Sequence, residues 1–230
     1  MNIFRKILAG LFIAGALPAA AQTQDFGSWT TFSLSKKVAD KFRVGTDLEL
    51  RMRDNLTDYN LFYVNLGGTY KPLDWLSISA TYRFIHKHKD DGTYGIRHRY
   101  YNDFAAKFKP GKFTLSYRAR IQWEVRTTGY SDKYGLIPEI YWRNKFDIKY
   151  KATDKITPYI GTEIRFQLLN PRVPYNEGLT FDRDRAYAGM DYSINDNHTL
   201  GVFFLHQIEF NVEDPETLNI IGVEYSIALD

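Results

Sequence analysis

The sequence predicts an all-β fold, an antiparallel transmembrane β-barrel of about ten to twelve strands, with single-chain bacterial barrels of even strand number as the guide. Three observations predict it. Apolar and charged residues alternate with a period of two, the alternating segments are long and recur to the C-terminus, and the connections between them alternate in length. Residues 42–53 show the first: Phe42, Val44, Thr46, Leu48, Leu50 and Met52 interleave with Arg43, Gly45, Asp47, Glu49, Arg51 and Arg53. In a strand, that spacing sends an oily row to one face and a charged row to the other. A closed barrel with lipid outside and a polar lumen inside satisfies both rows at once.

The elements follow in chain order. Residues 1–21 read as a cleaved signal peptide: Arg5 and Lys6 are basic, Ile7 to Leu17 form a short apolar core, and Ala19-Ala20-Ala21 offers a small-residue cleavage site before Gln22. A buried N-terminal helix is the competing reading of that run. Residues 22–230 form a single barrel domain. Its eleven segments span roughly 27–35, 42–53, 60–71, 75–87, 96–108, 113–126, 137–151, 156–168, 183–194, 198–210 and 217–229. Most are long enough to cross a bilayer core at a tilt, which takes about 9–11 residues. Eleven sits awkwardly with even numbers, and the first segment is the shortest and least regular.

Short connections at Lys36–Lys41, Pro72–Asp74, Lys109–Lys112, Ala152–Lys155 and Asn195–Asn197 carry turn residues. Longer ones fall at Asp54–Tyr59, His88–Gly95, Thr127–Leu136, Leu169–Asp182 and Asn211–Glu216. Outer-membrane barrels keep short turns on the periplasmic side and long loops outside, so the short set is expected to face the periplasm. Tyr70, Trp75, Phe108, Phe113 and Tyr150 flank those turns as an aromatic girdle.

Composition narrows the function. With 230 residues and no Cys, thiol chemistry, disulfides and thiolate metal sites are excluded. The net charge is +3, and without Arg5 and Lys6 the chain holds 28 basic against 27 acidic residues, so nothing argues for nucleic acid. Parity turns Phe62, Val64, Leu66, Tyr82, Phe84, Ile121, Trp123, Ile160, Leu200, Val202 and Phe204 toward lipid. A soluble β-sandwich or lipocalin-like barrel would instead bury that row.

The same parity lines the lumen with Arg43, Asp47, Glu49, Arg51, Arg53, Arg83, Arg97, Arg99, Asp103, Arg118, Arg120, Glu124, Arg126, Glu139, Arg143, Asp147, Glu163, Arg165, Arg183, Arg185, Asp191, Glu209 and Glu224. Such charges must be paired or solvated. Tyr63, Tyr101, Tyr141 and Tyr187 are expected among them as hydrogen-bonding filler. The network either fills a narrow lumen or leaves surplus Arg along a pore for anions such as acidic oligosaccharides. In Asp182-Arg183-Asp184-Arg185 an ion-pair network competes with a ligand clamp at the pore mouth.

Enzymatic chemistry finds little support. A lipid hydrolase would need a Ser, a His within reach and an orienting partner. His86 and His206 fall on the lipid-facing row with no Ser nearby in sequence, and His198 lies beside a short turn. His86, His88 and His98 sit at the outer ends of neighbouring strands without a carboxylate motif, so no metal or other cofactor is expected. Tyr59, Tyr94, Tyr130 and Tyr134 are compatible with partner binding by the outer loops.

The Ala-Gln end of the leader, Glu49-x-Arg51, Arg97-His98-Arg99 and Arg183-x-Arg185-x-Tyr187-x-Gly189 together resemble the domain of unknown function 2490 family. That resemblance implies an exported outer-membrane barrel of a Gram-negative bacterium, and no activity. The last strand resembles a barrel-assembly signal through Gly222, Tyr225, Ile227 and Leu229, with Asp230 where a terminal aromatic is usual. The expected partners are outer-membrane lipid and the barrel-assembly machinery. The function expected is a non-enzymatic barrel, structural or a narrow passive channel, with an anion pore and a lipid-modifying hydrolase as alternatives.

Overall fold

Eleven strands close into one barrel in the computed structural model, which describes residues 23–89, 91–126, 138–171, 179–212 and 214–230. The strands are β1 (Thr23–Ala39), β2 (Phe42–Arg53), β3 (Asp58–Leu73), β4 (Leu76–His88), β5 (Tyr94–Phe108), β6 (Phe113–Arg126), β7 (Glu139–Tyr150), β8 (Ile156–Leu169), β9 (Thr180–Ser193), β10 (His198–Glu209) and β11 (Glu216–Leu229). Among the described residues there is no helix. Each strand pairs antiparallel with the next along the chain. The leader, Tyr130 and Tyr134 lie outside the described residues.

An up-and-down meander of odd number has its first and last strands running the same way. Closure is therefore a parallel seam, Thr23–Lys36 against Glu216–Leu229. Parallel pairing is slightly weaker per residue, and length compensates. β1 has 17 residues and is the longest strand, not the shortest. Its alternation is faint because Ser28 and Thr30 stand on its outer row and Trp29, Thr31 and Ser33 on its inner row. Pairing with both β2 and β11 holds it in the sheet instead.

The turns also differ in detail. The Asp54–Tyr59 connection, expected to be long, is a tight turn over residues 54–57, with Asp54, Asn55 and Leu56 at φ 51°, 55° and 70°. The Asp25 carboxylate accepts the Asp54 and Asn55 amides at 3.0 and 3.1 Å, which pins this left-handed stretch. Gly111, at φ 61°, serves the β5–β6 turn without a Cβ penalty.

Burial fixes which face is which. The buried large hydrophobic residues, Tyr63, Ile85, Tyr101, Tyr141, Leu205 and Ile220, all belong to the inward rows. The outward rows are apolar and exposed, including Leu66, Phe104, Ile160, Val202, Phe204 and Ile221. A soluble sandwich or lipocalin-like barrel would turn that face inward. Tyr70, Trp75, Phe108, Phe113 and Tyr150 are exposed beside the short turns, with the Phe113 and Tyr150 rings 5.0 Å apart.

Glycines on the inner wall admit large rings. A Cβ on Gly222 would lie 2.0 Å from Cζ of Phe203, its partner across the β10–β11 ladder. Gly161 lies under Tyr187, and Gly189 under Tyr159, in reciprocal fashion across β8 and β9. Rings laid over strand glycines recover packing that the missing side chain forfeits. Gly222, read from sequence as part of an assembly signal, thus also has a packing reason to be glycine. Gly222→Val is expected to destabilise the barrel by about 1–3 kcal/mol through overpacking, read as a lower urea midpoint; an unchanged midpoint would remove this packing role.

Candidate functional site

The lumen collects the charged residues. Strand parity carries Arg43, Asp47, Glu49 and Arg51 inward on β2, Arg83 on β4, Arg97 and Arg99 on β5, and Arg118, Arg120 and Glu124 on β6. Arg143 on β7, Glu163 and Arg165 on β8, and Arg183, Arg185 and Asp191 on β9 complete the set.

Across β1 to β6 the cations and rings alternate, one to a strand. Arg51 lies 3.7 Å from the Trp29 ring, Arg83 3.5 Å from Tyr63, and Arg120 3.7 Å from Tyr101. The intervening contacts are longer, 5.6 Å from Arg51 to Tyr63 and 5.7 Å from Arg83 to Tyr101. The result is a continuous stack from Trp29 to Arg120. A desolvated cation over a ring contributes about 2 kcal/mol. Hydrogen bonding by these tyrosines was foreseeable, whereas the stack was not. It depends on strand register, and Trp29 sits in the segment with the faintest pattern.

Carboxylates complete the network. Glu49 takes Arg51 at 2.5 Å and the Tyr63 hydroxyl at 2.7 Å. Asp103 takes both Nε and Nη2 of Arg120, at 2.6 and 2.7 Å. Glu124 gathers Arg97 at 3.1 Å, Arg126 at 3.8 Å and Arg99. Glu163 gathers Arg143 at 2.5 Å, Arg118 at 2.6 Å and Arg185 at 3.0 Å. Arg126 reaches Glu139 at 3.1 Å. In the Asp182–Arg185 run, Asp182 pairs with Arg165 at 2.7 Å, Arg183 with Glu209 and Arg185 with Glu163. These residues thus form ion pairs within the barrel. A bulge between Arg165 and Phe166 brings Asp182 onto the inner wall, while Asp184 accepts Thr162 at 3.2 Å on the outer wall.

The lumen differs along its axis. Near the long-loop end, side chains fill it: Gln122 and Asp182 are 1 % exposed and Glu139 0 %, and Ile85, Glu124, Tyr141, Gln167, Gln207 and Ile220 are buried beside them. Toward the short-turn end a cavity of about 650 Å³ opens, walled by Trp29, Ser33, Asp47, Lys149, Tyr159, Asp191, Phe203, Glu224 and Ser226. Arg83, Arg118, Arg143, Glu163 and Arg185 line its inner end. The described side chains thus crowd the lumen toward the long-loop end and leave a cup-shaped cavity toward the short-turn end. Lys149 pairs with Asp191 at 2.5 Å and Lys145 with Asp147 at 3.4 Å along its wall. At the rim, Arg43 donates to the Leu229 carbonyl at 3.1 Å and pairs with Asp230 at 3.2 Å, which ties the last strand to β2.

The histidines sit on the outer wall with other partners. His86 meets the Tyr59 hydroxyl at 2.9 Å, His88 meets Asp58 at 3.1 Å, and His98 meets Tyr82 at 2.7 Å. His198 meets Tyr225 at 2.6 Å and His206 meets Asn219 at 2.9 Å. Tyr94 stacks on both His86 and His88, with centroids 4.9 and 5.0 Å away. Among the described residues no three His, Asp or Glu converge as a metal site. In the connections, hydrogen bonds from Thr93 hold the Asp91 carboxyl below its ordinary range, and Lys151 does the same for Asp154.

Residues 26–218 match a family described as Protein of unknown function (DUF2490). No curated protein matches the chain. Among solved structures, the β domain of the Bordetella autotransporter BrkA is similar over 83% of this chain and 85% of its own, with TM-score 0.51 and 12% identity. The translocator domain of the autotransporter NalP from Neisseria meningitidis aligns over 80% and 73%, with TM-score 0.48 and 8% identity. A bacterial polysaccharide outer membrane secretin aligns over 81% and 74%, with TM-score 0.43 and 12% identity.

Asp103 and Arg120 test the energetic asymmetry of the network. Removing one partner leaves an uncompensated buried charge, so Asp103→Ala is expected to cost about 3–5 kcal/mol. Lys151→Ala, which removes the exposed pair with Asp154, is expected to cost about 0–1 kcal/mol. Equal losses in urea unfolding would mean that the lumen is as well solvated as the surface.

Proposed function

We propose that this chain, which belongs to the DUF2490 family, is a non-catalytic outer-membrane barrel of a Gram-negative bacterium, structural in role and closed to solute flow. The observation that carries the reading is the filled layer around Gln122, Glu139 and Asp182. Side chains just fill the interior of eight-stranded barrels, and sixteen strands leave a channel. Eleven strands lie between, and here Arg–carboxylate pairs at Glu124, Glu139 and Asp182 take up the added width on the long-loop side.

The exposed apolar outer wall and the aromatic rings beside the short turns support membrane placement. The short-turn end then faces the periplasm, and the cup opens there. Outer-membrane lipid is the partner of the wall, and the barrel-assembly machinery handles β11, with Gly222, Tyr225, Ile227 and Leu229 as its signal. A second reading, an anion-favouring pore for acidic oligosaccharides, draws on the guanidinium groups at the inner end of the cup. It requires the filled layer to part.

Reconstituted in planar bilayers, the protein is expected to give no conductance steps at any voltage. Anion-selective steps would overturn the closed reading in favour of the pore. Membrane placement has its own measurement. Val202→Arg, on the outer wall, is expected to cost about 2–4 kcal/mol of folding free energy in lipid, as for an Arg at the bilayer midplane. A negligible loss in lipid vesicles would remove Val202 from the hydrocarbon.

A further inference from the structure

The inner end of the cup carries more positive charge than its own carboxylates offset. Glu163 alone receives Arg118, Arg143 and Arg185. Arg83 has no carboxylate in ion-pair contact; its Nε donates to Asn65 at 2.7 Å and its plane rests on Tyr63. All four arginines line the cavity. The Nε atoms of Arg118 and Arg143 are buried without a hydrogen-bond partner. Closer to the rim Lys145 pairs with Asp147 and Lys149 with Asp191, while Asp47 and Glu224 accept hydrogen bonds from Asn65 and Ser226, so among the described residues no cation is in excess there. The excess is therefore local and lies at the inner end of a concave site.

Buried cations that share a single carboxylate are costly, and a desolvated concave site strengthens their field. An added counter-charge would meet a defined geometry. Guanidinium groups present rigid forks that match phosphate or carboxylate oxygens two at a time. The cavity, about 650 Å³, falls in the range of small-molecule pockets, about 300–1,000 Å³. The Trp29 and Phe203 rings line it beside the charges.

We infer that the inner end of the cup is an anion-binding site for a small solute bearing a phosphate or carboxylate group, admitted from the short-turn end. The inference rests on the cup and its charge, and it holds whether or not the barrel conducts. The full folded chain in detergent micelles is titrated by calorimetry at fixed ionic strength with pyrophosphate and, separately, with citrate. Saturable binding in the millimolar range or tighter is expected for at least one probe, and the preferred probe separates phosphate from carboxylate chemistry. Losing one charge-assisted contact in Arg83→Gln or Arg118→Gln is expected to weaken binding by about tenfold or more. Glu163→Gln, which removes the competing carboxylate, is expected to tighten it. Lys151→Gln, outside the cup, is expected to leave it unchanged. The Arg83 substitution breaks no ion-pair contact, so its fold is expected to survive, checked by a difference in SDS-gel migration between unboiled and boiled samples. Absence of saturable binding to either probe, or equal affinity in wild type, Arg83→Gln and Arg118→Gln, would overturn the assignment.

Discussion

The barrel depends on one constraint: a guanidinium brought into its lumen must be met by an acid, a ring or water. Most of the pairs that meet it join neighbouring strands. Arg120 on β6 reaches Asp103 on β5, Arg165 on β8 reaches Asp182 on β9, and Arg183 on β9 reaches Glu209 on β10. A slip of one residue would turn each of these side chains to the outer face. The charged network therefore acts on register as much as on stability. Apolar outer rows slide past one another with little penalty in hydrocarbon, so specificity has to come from inside.

Arginine and lysine divide the lumen between them. Arg97, Arg99, Arg126 and Arg165 occupy the filled layer or its margin, where their forks engage Glu124, Glu139 and Asp182. Lys145 and Lys149 stand toward the open end, each with a single carboxylate. A rigid, weakly hydrated guanidinium suits the dry end and a strongly hydrated ammonium the wet one. The β8–β11 side contributes rings over glycines, as at Phe203 and Gly222, where the β1–β6 side contributes the stack.

Much of this was legible in the residues. Period-two alternation placed Arg83, Glu124 and Arg185 on the inner wall and Val202 and Phe204 on the outer one, because strand parity needs no knowledge of neighbours. β1 was read as 27–35 and so too short, because its ends carry Gln24, Asp25, Lys36 and Lys37, and there pairing with β11 and β2 extends the strand beyond what local pattern shows. The tight turn at Asp54–Leu56 was missed because its stabilising carboxylate, Asp25, lies on another strand. The Trp29-to-Arg120 stack and the cup were invisible for a related reason. Both depend on register between strands and on the depth at which side chains meet.

The parallel seam between β1 and β11 has a consequence for how the molecule comes into being. Its two halves are the first and last strands of the chain, so the contact that shuts the cylinder joins residues nearly a full chain length apart. Such distant pairing is slow, because the entropy of gathering the intervening chain is spent before any bond forms. Until β11 arrives, β1 and the growing end of the sheet both expose unpaired edges that invite pairing with other chains. The cylinder thus inspects its own completeness: an interrupted chain presents two reactive margins, and only an intact one conceals them.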